Sequence, residues 1–251
     1  MIKVCFCATR NLYNKLAIVI MSLWSYNPNT IVYLCIEDDY FLPIRDDRIK
    51  VINVLKQDLD ILPTNPNLKR FCTYMSLIRN YLPLILKDED KVISIDCDVI
   101  FNGSLEEVWA WDLRDNYIAA VPEFNKQWDE ETMRYNDPYI NAGFVIMNLK
   151  LMREHHIVEQ LIDFMNVVPV RWPDQDALNY ICRGHIMLLP FKYNSTVFTG
   201  IAETPIVIHG TPIKPWDEDE INYILPIWRY YEEMYASEYS TTNSGENLVH
   251  E

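Results

Sequence analysis

Short apolar, β-prone runs alternate with helix-like segments along most of the chain, and this alternation restricts the fold more than any other feature. Residues 3–8, 31–36, 49–54 and 92–95 read as strands. Residues 9–14 read as a loop and 15–25 as a helix, closed by the turn residues Asn27, Pro28 and Asn29. Residues 73–86 read as a mostly buried helix in which Pro83 predicts a kink or an early end. Further on, 117–121, 144–149 and 206–209 read as strands, and 151–167, 174–182 and 217–235 as helices. Strands separated by helices in this order predict an α/β architecture built on a largely parallel sheet.

The 251 residues suffice for one sizeable core, so a single domain is expected over residues 1–236. Residues 237–251 are polar and weakly patterned, which predicts a frayed tail. The 36 acidic residues against 22 basic ones give a net charge of -14, a surface that repels phosphate backbones. Nucleic acid is therefore not the expected partner, and an anionic substrate would need local neutralisation by Lys, Arg or a metal. Cys5, Cys7, Cys35, Cys72, Cys97 and Cys182 form no CxxC pair. Their spacing points to small reduced residues rather than to a disulfide framework or a zinc site. The apolar run 16–24 is too short for a signal peptide, and no stretch approaches the roughly 20 apolar residues of a membrane span. The expected location is cytoplasmic.

The chemistry concentrates in a few places. Asp96 and Asp98 follow the strand 92–95, and residues i and i+2 of an extended chain point to one side, so both carboxylates can meet one cation. Hard carboxylate ligands with open positions suit Mn²⁺ or Mg²⁺ shared with substrate phosphates. Taken alone, the triplet reads first as a solvated turn; the apolar strand leading into it and the small Cys97 between the acids favour the ligand reading. Two facing carboxylates also predict that removing one costs little stability, since like-charge repulsion is relieved. Ser104 to Glu107 reads as a capping box. Asn141-Ala142-Gly143 precedes a strand, Asp174-Gln175-Asp176 follows Trp172-Pro173 at a helix start, and His209-Gly210 ends a strand shortly before Lys214-Pro215-Trp216. Each has a bland reading as turn, cap or structural histidine.

Together these residues resemble glycosyltransferase family 8, the retaining enzymes that include glycogenin and bacterial lipopolysaccharide galactosyltransferases. The resemblance runs from Ile2 to Trp216 and implies a single-domain GT-A-type, Rossmann-like fold with a mixed sheet flanked by helices. It implies a hexosyltransferase that moves glucose or galactose from a UDP-sugar to a glycan or glycoprotein acceptor, with a homodimer as a further option. It assigns Asp96, Asp98 and His209 to the metal, expected to be Mn²⁺ with Mg²⁺ as the alternative. Ala8 to Tyr13 resembles the loop that holds the uracil, with Thr9 bonding the base and Tyr13 stacking on it. Cys97, Asn141, Ala142, Gly143, Asp174, Gln175, His209 and Gly210 match positions lining the donor. Arg79, 17 residues before Asp96, would contact the donor sugar or phosphate, and Lys214 the diphosphate. Arg79, Asp174, Gln175 and Lys214 are thereby the catalytic candidates.

Retention by a hydrolase normally uses a carboxylate nucleophile. Gln175 stands at the matching position and is a poor one, so the resemblance implies front-side attack through an ion-pair-like state. The five-residue step from His209 to Lys214 is shorter than the family's. Glu123 would lie on the acceptor side, and Trp111, Trp128 and Trp172 are candidates for stacking on an acceptor sugar. The segment from Leu189 to Asn194 resembles glycogenin, a self-glucosylating primer, but no tyrosine follows it before His209. Thr196 and Thr199 offer only aliphatic hydroxyls, and Tyr193 matches a structural tyrosine, so a separate acceptor is expected. A metal-dependent phosphoesterase and an inactive sugar-nucleotide binder are the competing classes.

Overall fold

The computed structural model describes residues 1–41, 43–54, 59, 65–68, 73–123, 138–219 and 221–239. Cys72, Trp128 and residues 240–251 of the expected tail lie outside these. Seven strands form one sheet: β1 (Lys3–Ala8), β2 (Ile31–Ile36), β3 (Ile49–Asn53), β4 (Lys91–Ile95), β6 (Ile118–Pro122), β7 (Ile140–Asn148) and β8 (Ile186–Leu188). Their order is β3-β2-β1-β4-β7-β6-β8, with β7 antiparallel to both of its neighbours and the other pairings parallel. A second, two-stranded sheet pairs β5 (Val99–Phe101) with β9 (Val207–His209). The helices are α1 (Tyr13–Tyr26), α2 (Leu82–Ile85), α3 (Glu106–Trp109), α4 (Leu149–Glu154), α5 (Ile157–Val167), α6 (Pro173–Ile181) and α7 (Leu225–Tyr239).

Strand alternation divides the core in two. Val4, Phe6, Val32, Leu34, Ile93, Ile95, Phe144 and Ile146 pack with α1 and with Trp228 and Tyr231 of α7 on one face. Cys5, Cys35, Val92, Val145 and Met147 pack with Met75, Ile78, α4, α5 and α6 on the other. Being covered on both faces is why these strands read as continuous apolar runs. The strand order reverses direction at β1, between β2 and β4, and an open α/β sheet holds its ligands at the carboxyl ends beside such a switch point. Thr9 and Asp96 both leave the sheet there.

Several local expectations are corrected. Residues 74–81 form a 3₁₀-helix, and Pro83 sits in the first turn of α2, starting that helix rather than ending one. Asn141, Ala142 and Gly143 lie inside β7 rather than before it, because the strand starts at Ile140. The helix expected over 151–167 is divided at His156, whose φ of 53° breaks the α-helical path. Strand β8 was not foreseen, and α7 begins at Leu225 and continues to Tyr239, past the start of the expected tail. Ser104 accepts only from the Glu106 N–H, and Glu107 turns to Lys192 and Tyr193, so the capping box does not form.

Candidate active site

The two carboxylates are fixed by different sheets. The Asp96 N–H donates to the Gly143 carbonyl (3.0 Å), extending the β4–β7 pairing by one residue beyond the strand. Asp98 leads directly into β5, where Val99 stands opposite His209 of β9, and the Gly210 N–H donates to the Asp98 carbonyl (2.8 Å). The two β-rich apolar triplets, Val99-Ile100-Phe101 and Val207-Ile208-His209, thus deliver His209 to the carboxylates from 111 residues away. His209 Nε2 lies 3.3 Å from Asp98 Oδ1 and 3.6 Å from Asp96 Oδ2.

The opposite face of the imidazole is equally determined. Asn194 is fully buried, and its side-chain oxygen sits 2.9 Å from His209 Nδ1. An amide oxygen can only accept, so Nδ1 carries a proton and the Nε2 lone pair of neutral His209 faces the carboxylates. The Asn194 amide in turn donates to Asn141 Oδ1 (2.7 Å), and the Asn141 amide donates to Glu123 (2.6 Å). Asn194 was read from sequence only as part of a family-like segment; its spacing from His209 carries no signal of this contact. Replacing Asn194 by Leu is expected to weaken Mn²⁺ binding roughly 10–100-fold, whereas Asn194→Asp, which keeps the acceptor, restores most of it. Electron paramagnetic resonance titration of free Mn²⁺ measures both.

Glycine at position 143 is required by packing. A Cβ there would collide with Cε1 and Nδ1 of His209 and come within 2.9 Å of Asn141 Oδ1. Gly210 is similarly pressed against the Pro215 ring. The small residues flanking His209 therefore make room for its ring and for the turn that follows.

Cations already engage the carboxylates. The Arg79 guanidinium bonds Asp96 and the Ala142 carbonyl, and its Nε lies 3.1 Å from Asp174 Oδ2. Lys214 bonds Asp98 from the other side. Burial opposes ionisation of Asp98, but His209 and Lys214 outweigh it and hold the carboxyl far below the ordinary range. Burial likewise lowers His209 and Lys214, and Asp98 more than reverses this, so both are raised.

Asp174 and Asp176 occupy the first turn of α6, where the helix dipole favours acidic side chains. Asp176 accepts from Tyr139 (2.6 Å) and from the Trp172 N–H (2.9 Å). The Gln175 amide is committed at both ends: its oxygen accepts from the Ala142 N–H (2.8 Å), and its nitrogen donates to Tyr139 (3.1 Å) and Glu123 (3.3 Å). Burial pushes the Asp174 carboxyl up to about 6, with Arg79 opposing and Asp96 adding to the rise. A raised folded value means that the folded chain binds the proton more readily than the unfolded chain. Stability should thus fall by about 2 kcal/mol as pH rises from about 4 to about 6. Urea melts at both pH values test this, and Asp174→Asn should remove that slope.

Asp96, Asp98, Asn141, Ala142, Asp174, Gln175, His209 and Lys214 line one cavity of about 460 Å³, together with Glu123, Arg171, Trp172, Phe198, Thr211 and Pro212. Arg79 lies behind its wall, paired to Asp96 and Asp174. Ala8 is buried at the end of β1, and the partly exposed Thr9 bonds Asn11. Tyr13 is buried with its ring edge-on to Phe41, centroids 5.6 Å apart. Cys97 is buried between the two acids, its thiol directed to the Cys7 carbonyl (3.5 Å). Of the described tryptophan candidates, Trp172 lines the cavity, while Trp111 is partly buried against the core. Arg171, Phe198 and Pro212 had no motif to mark them.

Asp96 Oδ2, Asp98 Oδ1 and His209 Nε2 belong to a group of ligand atoms lying within 4.8 Å of one another. Two hard oxygens and one imidazole with its tautomer fixed fit a divalent ion such as Mn²⁺. The family model of Glycosyl transferase family 8 matches residues 3–220. The chain belongs to this family. The family 8 chain is 29% identical over 158 residues to a lipopolysaccharide 1,2-glucosyltransferase of Escherichia coli, covering 53% of this chain and 46% of that protein. It is 26% identical over 182 residues to a lipopolysaccharide 1,3-galactosyltransferase of Salmonella typhimurium, covering 63% and 54%. It thus spans about half the length of these curated relatives. The structure of the galactosyltransferase LgtC with donor and acceptor sugar analogues superposes with a TM-score of 0.77 at 21% identity, covering 94% of this chain and 96% of that one. An active-site mutant of LgtC gives 0.79 at 20% identity, covering 93% and 96%. The GT-A-type α/β fold expected from the sequence is therefore the fold of this family 8 chain. Among its described residues, no helix is long and apolar enough to cross a membrane.

Proposed function

We propose that this family 8 chain is a Mn²⁺-dependent retaining hexosyltransferase that moves glucose or galactose from a UDP-sugar to a separate glycan or glycoprotein. The observation that carries the reading is the convergence of Asp96, Asp98, His209 and Lys214 on one cavity wall in an otherwise acidic protein. Asp96, Asp98 and His209 would hold the ion, which when bound supplies Lewis-acid stabilisation of charge developing on the leaving diphosphate. Lys214, now on Asp98, can turn its ammonium to that same charge as it grows. Arg79 keeps Asp96 and Asp174 apart and oriented. Gln175 offers an amide already held by Ala142, Tyr139 and Glu123, a placement suited to ordering the sugar rather than attacking it. That favours front-side attack, with the departing phosphate taking the acceptor proton. Trp172 and Glu123, both in the cavity lining, offer an aromatic and an acidic group suited to a sugar acceptor. The unbridged Cys5, Cys7, Cys35, Cys97 and Cys182 support a reducing, cytoplasmic location.

A separate acceptor is supported by the hydroxyls near the site. Tyr193 is fully buried with its hydroxyl on Glu107, and Thr196 and Thr199 donate to the Thr211 and Asn194 carbonyls. Incubation with a panel of UDP-sugars and Mn²⁺ should release UDP from one hexose donor, stop in EDTA, and leave the intact mass of the protein unchanged. Proton NMR of the first product should show the donor's α-configuration. A β-linked product would point to an inverting enzyme, and a ladder of hexoses on the chain to a primer. Donors left intact throughout would refute the reading.

A further inference from the structure

The spacing of the cysteines argued against a metal cluster, yet three of them converge. Cys5 and Cys7 are i and i+2 on β1 and share one face of the sheet. Cys35 stands opposite Cys7 in the parallel pairing with β2. The three sulfurs lie within 4.8 Å of one another, with Cys5 and Cys35 at 3.8 Å, and none is bridged. Met75 and Ile78 of the 3₁₀-helix that carries Arg79 pack over this face. Cys5 and Cys35 are fully buried, and Cys7 is partly exposed at the end of β1.

We propose that Cys5, Cys7 and Cys35 form a three-sulfur site for a trivalent thiophilic ion of the arsenic(III) class. Soft sulfur donors select soft ions, and three donors fall short of the four that a structural zinc site uses. Charge then decides among soft ions. Three thiolates on a monovalent or divalent ion would leave net negative charge in an apolar layer, at large desolvation cost. The adjacent Arg79 is already paired with Asp96 and Asp174. A trivalent ion leaves a neutral product. Arsenous acid, As(OH)₃, reacts with three thiols to give As(SR)₃ and three waters; each S–H and As–O bond broken is replaced by an O–H and an As–S bond, without redox change. Cys7 is the thiol open to attack first.

Arsenite added to the full chain in EDTA, with a phosphine as reductant, provides the test. Native mass spectrometry should show one arsenic gained and three hydrogens lost per chain, and X-ray absorption at the arsenic edge should show three sulfur neighbours. EDTA separates this site from Asp96, Asp98 and His209. Cys7→Ala, a change at a partly exposed position, should lose most of the arsenic at a concentration that half-saturates the wild type, and any remainder should show two sulfurs. Cys182→Ala should bind as the wild type does. No arsenic on the folded wild type, fewer than three sulfurs around it, or full occupancy in a Cys7→Ala protein of native circular dichroism would each overturn the proposal.

Discussion

Asp98→Asn is expected to lower hexose transfer by at least roughly 100-fold, the scale on which a preorganised charge-stabilising group acts. The same substitution should destabilise the metal-free protein by about 2 kcal/mol, because it removes a charged hydrogen-bond acceptor from the Lys214 ammonium and from His209 in its protonated form. This reverses the sequence-based expectation that loss of one carboxylate is nearly neutral. Asp96 and Asp98 do not face each other unscreened: Arg79 holds one, and Lys214 and His209 hold the other. The folded carboxyl of Asp98 ionises more readily than the unfolded one. Its contribution is therefore present above the unfolded value of about 4 and fades as pH falls through the folded value. Denaturant melts should show the gap between wild type and Asp98→Asn closing in acid.

Gly143→Ala is expected to remove nearly as much activity although no ligand is replaced. The added Cβ lands on the His209 ring, whose far side is held by Asn194 and whose strand is paired on both edges. Neither backbone can withdraw, so the imidazole must rotate and lose the Nδ1–Asn194 bond. Mn²⁺ affinity should fall by about 100-fold, with overpacking costing about 1–3 kcal/mol of stability. A near-native Mn²⁺ affinity in this variant would show that the ring tolerates the methyl group and that Gly143 is not required by packing.

The strands that build the switch point were legible because both faces of each are covered, which makes the runs at 4–8 and 31–36 apolar end to end. Asp96 and Asp98 were legible because a strand ends where they begin. What the chain pattern could not carry was convergence from distant segments. Asn194 lies 15 residues before His209, just after the 3₁₀ turn Phe191–Tyr193, and its contact depends on the β5–β9 pairing that turns the ring. Asn141 and Gly143 looked like a turn because small and polar residues usually mark one. They stand inside β7 because a glycine is the only residue that leaves room for the His209 ring. Pro83 read as a breaker because proline cannot continue a helix, although it starts one equally well. The three thiols were missed for the same reason as Asn194: strand register, not spacing, brings Cys35 to Cys5 and Cys7.

The central claim is that Asp96, Asp98 and His209 hold a divalent ion that a nucleotide diphosphate shares. Titration of free Mn²⁺ by electron paramagnetic resonance, with and without UDP-glucose or UDP-galactose, tests it most directly in wild type, Asp98→Asn and Gly143→Ala. The wild type should bind one Mn²⁺ per chain, more tightly when the donor is present, and both variants should lose this site. Donor binding that is unchanged by EDTA, or Mn²⁺ binding that is equal in all three proteins, would contradict the account.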